Sequence, residues 1–187
     1  MPCMSSCKVW FYNPTAEAVT GANLVNKIVA GVYPPYCHTE LQFPNGEACS
    51  VVMNSTVRLR TRTYNTDFYT CLVIHADECV IEKALQLARR HVQLQTQFGL
   101  SAGCTFCSKL VAELLVESGI VSPQILPDSY FLSPSTLYHR LTQCRQQVTM
   151  PVPASTRVLP ISFVNPLAQE HEILLCARHC IVKQVKK

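Results

Sequence analysis

Cys107 is a cysteine whose place in the sequence suits a reactive thiol. It stands near the head of FCSKLVAELLVESG, where the spacing of apolar residues predicts a helix over 106–118. A thiol in the first turn of a helix feels the positive end of the helix dipole and lies near unpaired backbone N–H groups, and both favour the thiolate. The same N–H groups can bind an oxyanion that forms on an attacked carbonyl. Cys107 is therefore our candidate nucleophile, and a buried structural cysteine is the alternative.

His38 is the candidate base for this thiol. It begins a predicted strand shortly after Pro34-Pro35, and Glu40, two residues further on, projects to the same face of the sheet. A carboxylate beside a histidine orients the imidazole and favours its charged form. The sequence thus predicts a catalytic set of Cys107, His38 and Glu40, with a surface histidine–glutamate pair as the alternative.

Two other residues are substitutes for members of this set. If Asn45-Gly46 forms a two-residue hairpin turn, Glu47 shares the face of His38 and could replace Glu40. His75 ends another predicted strand, and strand ends commonly border clefts. It is therefore the alternative base.

Cys104 and Cys107 form a C-x-x-C pattern, a spacing that is also found at metal and redox sites. Cys176, His179 and Cys180 could complete a zinc site with them, although the metal would then consume the proposed nucleophile. A thioredoxin-like redox centre lacks the β-α-β context that it requires. We therefore expect no metal and no cofactor, and a zinc-stabilised binding protein is the alternative.

The elements that must position these residues belong to an α+β fold. Period-two alternation and turn residues predict about five strands, at 8–12, 37–43, 47–53, 57–63 and 69–75. Helical spacing predicts two main helices at 78–97 and 106–118, with further helical segments at 20–32 and 133–141. We expect an antiparallel sheet, in which the strands from 37 to 75 are consecutive neighbours, packed against the two main helices.

Composition favours a well-buried core, because 48% of the 187 residues are hydrophobic and only 15% are charged. The net charge of +4 is mild. Arg58, Arg60 and Arg62 alternate along one face of a predicted strand, so they could meet an anionic partner; a solvated strand face is the alternative. No aromatic residues interleave with these arginines, and we expect no nucleic-acid partner.

Eleven cysteines raise the question of the redox compartment. The opening MPCMSSCKVW lacks the basic start and apolar stretch of a secretory signal. No apolar run approaches the roughly 18 residues that would span a bilayer. We therefore expect reduced thiols, a cytoplasmic location and no transmembrane segment.

The strand HTELQFPNGEACSV followed by the helix FCSKLVAELLVESGI resembles the circularly permuted branch of the NlpC-type papain-like thiol superfamily. In that branch the histidine strand precedes the nucleophile helix, and its relatives include lecithin:retinol acyltransferase-like proteins, the desumoylating isopeptidase-like group and poxviral members. The matching residues are His38, the Asn45-Gly46 turn, the aromatic-Cys-Ser group at 106–108 and Gly119. The proline-started segment at 133–141 also resembles one that follows this helix. The resemblance covers about residues 8–142 of a single domain, 1–187, and leaves 143–187 as a proline-rich extension of unknown role.

The resemblance implies a permuted papain-like fold and a cysteine hydrolase. Cys107 would attack an amide or ester carbonyl to form a thioester acyl-enzyme while His38 transfers the proton. Among the activities that the resemblance implies, we expect a peptidase or isopeptidase, because no apolar stretch is present to hold a lipid. A lipid acyl hydrolase or acyltransferase, or a non-catalytic interaction module on the same fold, is the alternative. The expected partner is a protein, peptide or acyl substrate, and the His-x-Glu strand suggests a viral origin by analogy with viral-looking members.

Overall fold

The computed structural model describes residues 3–16, 32, 34–127, 132–143, 170–176 and 179–184. Its strands are β1 Met4–Tyr12, β2 His38–Gln42, β3 Glu47–Ser50, β4 Arg58–Thr61, β5 Tyr69–Asp77, β6 Glu170–Cys176 and β7 His179–Gln184. Its α-helices are α1 Glu78–Gln93, α2 Cys107–Ser118 and α3 Pro134–Gln143. The predicted helix at 20–32 lies outside the described residues, apart from its last position.

The described strands form one sheet in the order β4-β3-β2-β1-β5-β6-β7. The first five are antiparallel neighbours, which confirms the predicted α+β class and the five-strand antiparallel sheet. We expected β5 to pair with β4 and so continue the β2-β3-β4 meander. In the structure β5 pairs with β1 instead. The reason is length: β1 and β5 match over nine residues each, whereas β4 offers only four.

The main core lies between one face of the sheet and the helices. On that face β1 contributes Cys7, Val9 and Phe11, which are all fully buried. α1 packs on β1, β4 and β5, and α2 packs on β2, β3 and α1. These contacts remove the apolar side of each helix from water, which is the main stabilising contribution of such elements.

Helix α2 is buried on nearly every side, which fits its sequence of mostly small and apolar residues. Leu110, Val111, Leu114 and Leu115 are at most 1% exposed. The helix ends at Gly119, whose φ of 87° places it in the left-handed region that closes many helices. The predicted bounds of this helix and its glycine cap are therefore confirmed.

The opposite face of the sheet carries a smaller aromatic cluster. Trp10 of β1 stacks on Tyr64 with ring centroids 4.4 Å apart, and Tyr69 meets Trp10 edge-on at 6.5 Å. Cys71 and Val73 of β5 complete this cluster. The chain after β4 thus folds back over the sheet, and this face also carries His38 and Glu40.

The hairpin between β2 and β3 differs from the expected turn. Phe43 N–H donates to the Glu47 carbonyl at 2.8 Å, and Gly46 N–H donates to the Phe43 carbonyl at 2.9 Å. The loop therefore has three residues, 44–46, and Gly46 takes the positive φ of 85° that such loops need. This register pairs Gln42 with Ala48, one residue away from the expected pairing. A shift of one residue turns every side chain of β3 to the other face of the sheet. Glu47 therefore projects from the face that does not carry His38, and the prediction of Glu47 as a substitute for Glu40 was wrong.

The region after residue 142 adds strands to the sheet. β6 pairs with β5 in parallel, with Cys71 opposite Glu170 and His75 opposite Leu174. β7 then pairs with β6 in antiparallel fashion. Among the described helices, none has both the length and the apolar character required to cross a bilayer.

Candidate active site

The site lies where the start of β2 meets the start of α2. His38 is the first residue of β2 and Cys107 is the first residue of α2, and the two elements pack against each other. The His38 imidazole and the Cys107 thiol lie close enough to shift each other's pKa. Because Nε2 of His38 faces Glu40, Nδ1 is the ring nitrogen left for the thiol. The structure thus brings together the two residues predicted as nucleophile and base.

Glu40 is the third member, and it is fully buried on the same face as His38. Its Oε1 lies 3.3 Å from Nε2 of His38. Nε2 nevertheless has no partner with hydrogen-bond geometry among the described residues, so we treat this contact as electrostatic rather than as a well-formed hydrogen bond. Arg62 Nη1 donates to Oε1 at 2.6 Å, and the Tyr64 hydroxyl donates to Oε2 at 2.9 Å. Both oxygens of the carboxylate are therefore held.

The ionisation of these groups follows from their contacts. Burial disfavours the charged form of His38, but the interaction with Cys107, followed by attraction to the Glu40 carboxylate, outweighs it and raises the His38 pKa to about 10. Burial also opposes a Cys107 thiolate, yet hydrogen bonding and attraction to the His38 imidazolium lower the pKa of the Cys107 thiol. Both shifts favour a thiolate–imidazolium pair over a neutral thiol and a neutral imidazole.

The carboxylate that faces this pair stays ionised. Burial alone would raise the pKa of Glu40, but contacts with His38, Arg62 and Tyr64 lower it overall. Burial and the neighbouring Glu40 carboxylate raise the pKa of the Tyr64 hydroxyl, which therefore remains a proton donor. A charged acid in this place stabilises the imidazolium form of His38.

Backbone N–H groups near the sulfur also favour its ionised form. Those of Thr39 and Ser108 contribute to lowering the pKa of the Cys107 thiol. Phe106 is the N-cap of α2 and provides no side-chain hydrogen bond to the first turn. Cys107 is the first residue of α2, so its N–H has no acceptor within the helix and is one of the donors that a helix start offers to an oxyanion.

Two serines attach α3 to both halves of the site. Ser108, next to the nucleophile, donates its hydroxyl to the carbonyl of Leu132 just before α3. Ser135 of α3 accepts from Tyr36 N–H at 3.0 Å and donates to the Tyr36 carbonyl at 3.3 Å. Tyr36 lies two residues before His38. α3 therefore fixes the nucleophile helix and the histidine strand relative to each other.

α3 itself follows the sequence prediction. Ser133 caps the helix by accepting from Thr136 N–H at 3.1 Å, and Pro134 occupies the first helical position.

The reacting groups are almost completely buried. The Cys107 residue is 8% exposed and the His38 side chain is 15% exposed. Next to them, the Thr39 hydroxyl is fully buried and has no hydrogen-bond partner among the described residues. The space around the thiol and the imidazole is therefore largely desolvated, and hydrogen bonds and charges act more strongly there than in water.

The other sequence candidates lie apart from this pair. His75 is opposite Ser6 in the β1–β5 register, whereas the His38 end of β1 is Tyr12. Ser6 and Tyr12 are six residues apart in β1, which corresponds to about 20 Å of extended chain. His75 is therefore not near the thiol. Cys104 lies in the loop before α2, where its sulfur accepts from Ser101 Oγ at 3.2 Å. Among the described residues, no group of three or more histidine, cysteine or acidic side chains is arranged to hold a metal ion.

The sequence did not identify the residues that hold Glu40. Arg62 was noted only as one of three alternating arginines, and Tyr64 was not noted. Both lie beyond the end of β4, in irregular chain whose course no periodicity indicates. The one available signal was the alternation itself, which places Arg62 on the same face as its strand neighbours.

Comparison with known proteins gives no match, since no protein-family model, curated protein or solved structure is significantly similar to this chain.

Proposed function

We propose that this protein is a cysteine hydrolase that cleaves an amide or ester bond through a thioester on Cys107. The observation that carries the proposal is the burial of Cys107 and Glu40 on either side of His38, whose Nε2 lies 3.3 Å from Glu40 and whose imidazole lowers the pKa of the Cys107 thiol. Strongly perturbed titratable groups that lie together at the start of a helix are typical of nucleophilic sites. A structural cysteine needs neither a charged histidine nor a buried acid beside it.

The reaction begins when the Cys107 sulfur attacks the substrate carbonyl carbon. The carbonyl oxygen takes the negative charge and accepts a hydrogen bond from the Cys107 N–H. The His38 imidazolium gives its proton to the leaving amine or alcohol as the carbon–nitrogen or carbon–oxygen bond breaks, which leaves a thioester. Water then loses a proton to the neutral His38 and attacks the thioester. The acid leaves, and the sulfur is again paired with the imidazolium.

Glu40 and its partners act on His38 rather than on the substrate. The carboxylate favours the protonated imidazole, and Arg62 and Tyr64 keep the carboxylate charged and fixed in place. We call Glu40, Arg62 and Tyr64 positioning residues for this reason.

A peptide or isopeptide is the substrate class that we favour. The exposed side chains of Arg58, Arg60 and Arg62 project from the same sheet face as His38 and Glu40. Such a basic surface suits a polar chain better than a lipid. We also place the protein in a reducing compartment such as the cytoplasm, since the eight cysteines whose side chains the structure describes are all free thiols. The resemblance to permuted papain-like proteins remains part of this proposal.

The test is the rate of iodoacetamide labelling at each cysteine, measured by peptide mass spectrometry at about pH 6, where an ordinary thiol is less than about 1% ionised. Cys107 should react at least about tenfold faster than the exposed Cys79 of the same molecule, which serves as an internal reference. His38→Ala should remove this difference, and Glu40→Gln should reduce it. A Cys107 that reacts no faster than Cys79 would overturn the proposal.

A second measurement separates a hydrolase from a reactive but non-catalytic site. Mixing the protein with p-nitrophenyl acetate should release about one equivalent of nitrophenol in a burst, followed by slower steady turnover. Cys107→Ala should abolish both phases. Fast alkylation with no acylation would instead indicate an interaction module on the same fold.

A further inference from the structure

Three arginines lie on the sheet face that carries the candidate site. In β4, Arg58 pairs with Ser50 and Arg60 pairs with Ala48. Ala48 is in turn paired with Gln42 of β2. Directly paired residues share a face, and faces alternate along a strand, so these arginines project on the same side as Glu40 and His38. Arg62 continues the row and reaches Glu40.

These arginines border a groove of about 320 Å³ at the edge of the sheet. Its other walls include Ser50, Val52 and Ser55, so polar groups accompany the charges. β4 is the last strand on this side of the strand order, and its outer edge has no strand neighbour among the described residues. The groove therefore offers both positive charge and an open strand edge.

Arg58 and Arg60 have no carboxylate partner within the described parts of the chain, unlike Arg62. Both are exposed, and the ion pairs of the described residues involve other cations. Two neighbouring guanidinium groups that lack an acid raise the local positive potential, which a bound anion would relieve.

We propose that this groove binds an extended acidic peptide segment, which adds to the outer edge of β4 with carboxylates opposite Arg58 and Arg60. The proposal rests on the proposed function in one respect, because it names the substrate class of that site. In an extended chain, side chains on one face repeat about every 6.8 Å, the spacing of alternate residues in an antiparallel strand. Arg58 and Arg60 have that spacing, so a peptide with acidic side chains at every second position would place one carboxylate at each guanidinium while its backbone pairs with β4.

Arg62 connects the groove to the catalytic residues. Its Nη1 is bound to Glu40, while 40% of its side chain is exposed at the groove. A guanidinium has five N–H donors, so Arg62 can bind Glu40 and a peptide carboxylate at the same time. A peptide that runs along β4 would thus pass beside the residue that holds the acidic member of the site.

The experiment measures binding by fluorescence anisotropy at low ionic strength, with Cys107→Ala protein so that no turnover interferes. The probe is a fluorescein-labelled peptide of alternating glutamate and threonine. A second peptide has the same composition with its glutamates in one block, and a third has lysine in place of glutamate. The alternating acidic peptide should bind most tightly. Arg58→Gln combined with Arg60→Gln should weaken its binding about tenfold.

The matched control removes two exposed cations of α1 instead, with Lys83→Gln combined with Arg90→Gln. Because the net charge changes equally, unchanged binding in this variant would assign the effect to the groove. Equal binding of the alternating and block peptides, or an equal loss in both double variants, would overturn the proposal in favour of a general polyanion surface. No binding at all would also overturn it and would mean that the arginines only protect the strand edge from pairing. None of these outcomes depends on the alkylation rate of Cys107, so the groove and the catalytic proposal can fail separately.

Discussion

A single buried carboxylate explains much of the candidate site at the level of residues. Removing the charge of Glu40 from water is costly, and such a charge persists in a protein only where nearby groups compensate for it. Here the compensation comes from Arg62, Tyr64 and protonated His38. Because Arg62 and Tyr64 each bind one carboxylate oxygen, the acid cannot rotate away from the imidazole.

Tyr64→Phe tests this arrangement with little change in volume. Loss of the hydroxyl removes a hydrogen bond to a charged group, and we expect the free energy of unfolding at pH 7 to fall by about 2 kcal/mol. The folded-state pKa of Glu40 lies below its unfolded value of 4.5, so its contribution to stability is present above that value and is lost as the pH falls through the folded pKa. The difference between the two proteins should therefore shrink in acid.

Urea unfolding at several pH values measures this difference. A loss of stability that is the same at every pH would contradict the prediction, and it would point instead to altered stacking of the ring on Trp10.

Among the secondary-structure elements, the short helix α3 holds the nucleophile helix and the histidine strand together. It makes no contact with the reacting atoms, yet Ser135 holds Tyr36 before β2 and the chain before α3 receives the hydroxyl of Ser108. The distance between thiol and imidazole is thus determined by three elements. A small displacement of α3 would affect both partners.

Ser135→Ala should therefore affect both stability and reactivity. It leaves the Tyr36 N–H without its acceptor in a buried place, and we expect the free energy of unfolding to fall by about 2 kcal/mol. Alkylation of Cys107 should also slow, because the start of β2 is less firmly held.

The control is Ser133→Ala, which removes the N-cap of the same helix and should cost about 1 kcal/mol. It should leave the alkylation rate unchanged. If both variants slow alkylation in proportion to their loss of stability, Ser135 has no specific positioning role.

Local patterns in the sequence predicted the elements that carry the site. The apolar spacing of α2, its Gly119 cap and the alternation of His38 with Glu40 each follow from short-range rules, so these predictions needed no tertiary contacts. The β2–β3 register did not follow, because Pro44 cannot donate a backbone hydrogen bond and the loop takes three residues. The partners of Glu40 depend on an irregular return of the chain after β4, and contacts of that kind have no periodic signature.

At the scale of the whole molecule, the order of the strands determines which strand edges are covered by a neighbour and so cannot pair with another chain. β5 is a long strand with buried residues from Cys71 to Ile74, and it is internal because β1 covers one edge and β6 covers the other. The last strands of the chain therefore complete a sheet whose other strands all precede residue 78.

Ending the chain after Gln143 should expose this edge. Long apolar edge strands without a covering strand pair with other copies, and we expect the shortened protein to self-associate. Light scattering coupled to size-exclusion chromatography would compare it with the full chain at equal concentration. A monomeric shortened protein with an unchanged unfolding midpoint would show that β6 is dispensable for protecting β5.

The central position of β1 has a consequence for protein synthesis. β1 leaves the ribosome well before its neighbour β5 and the helix with Cys107, so the sheet depends on contacts between distant parts of the chain. Until they form, Cys107 is an ordinary thiol with a pKa near its reference value of 9.0, and His38 is an ordinary imidazole. The nascent chain therefore carries no activated sulfur. If the proposed function is correct, reactivity begins only when folding is complete, and the growing chain and its surroundings are not acylated prematurely.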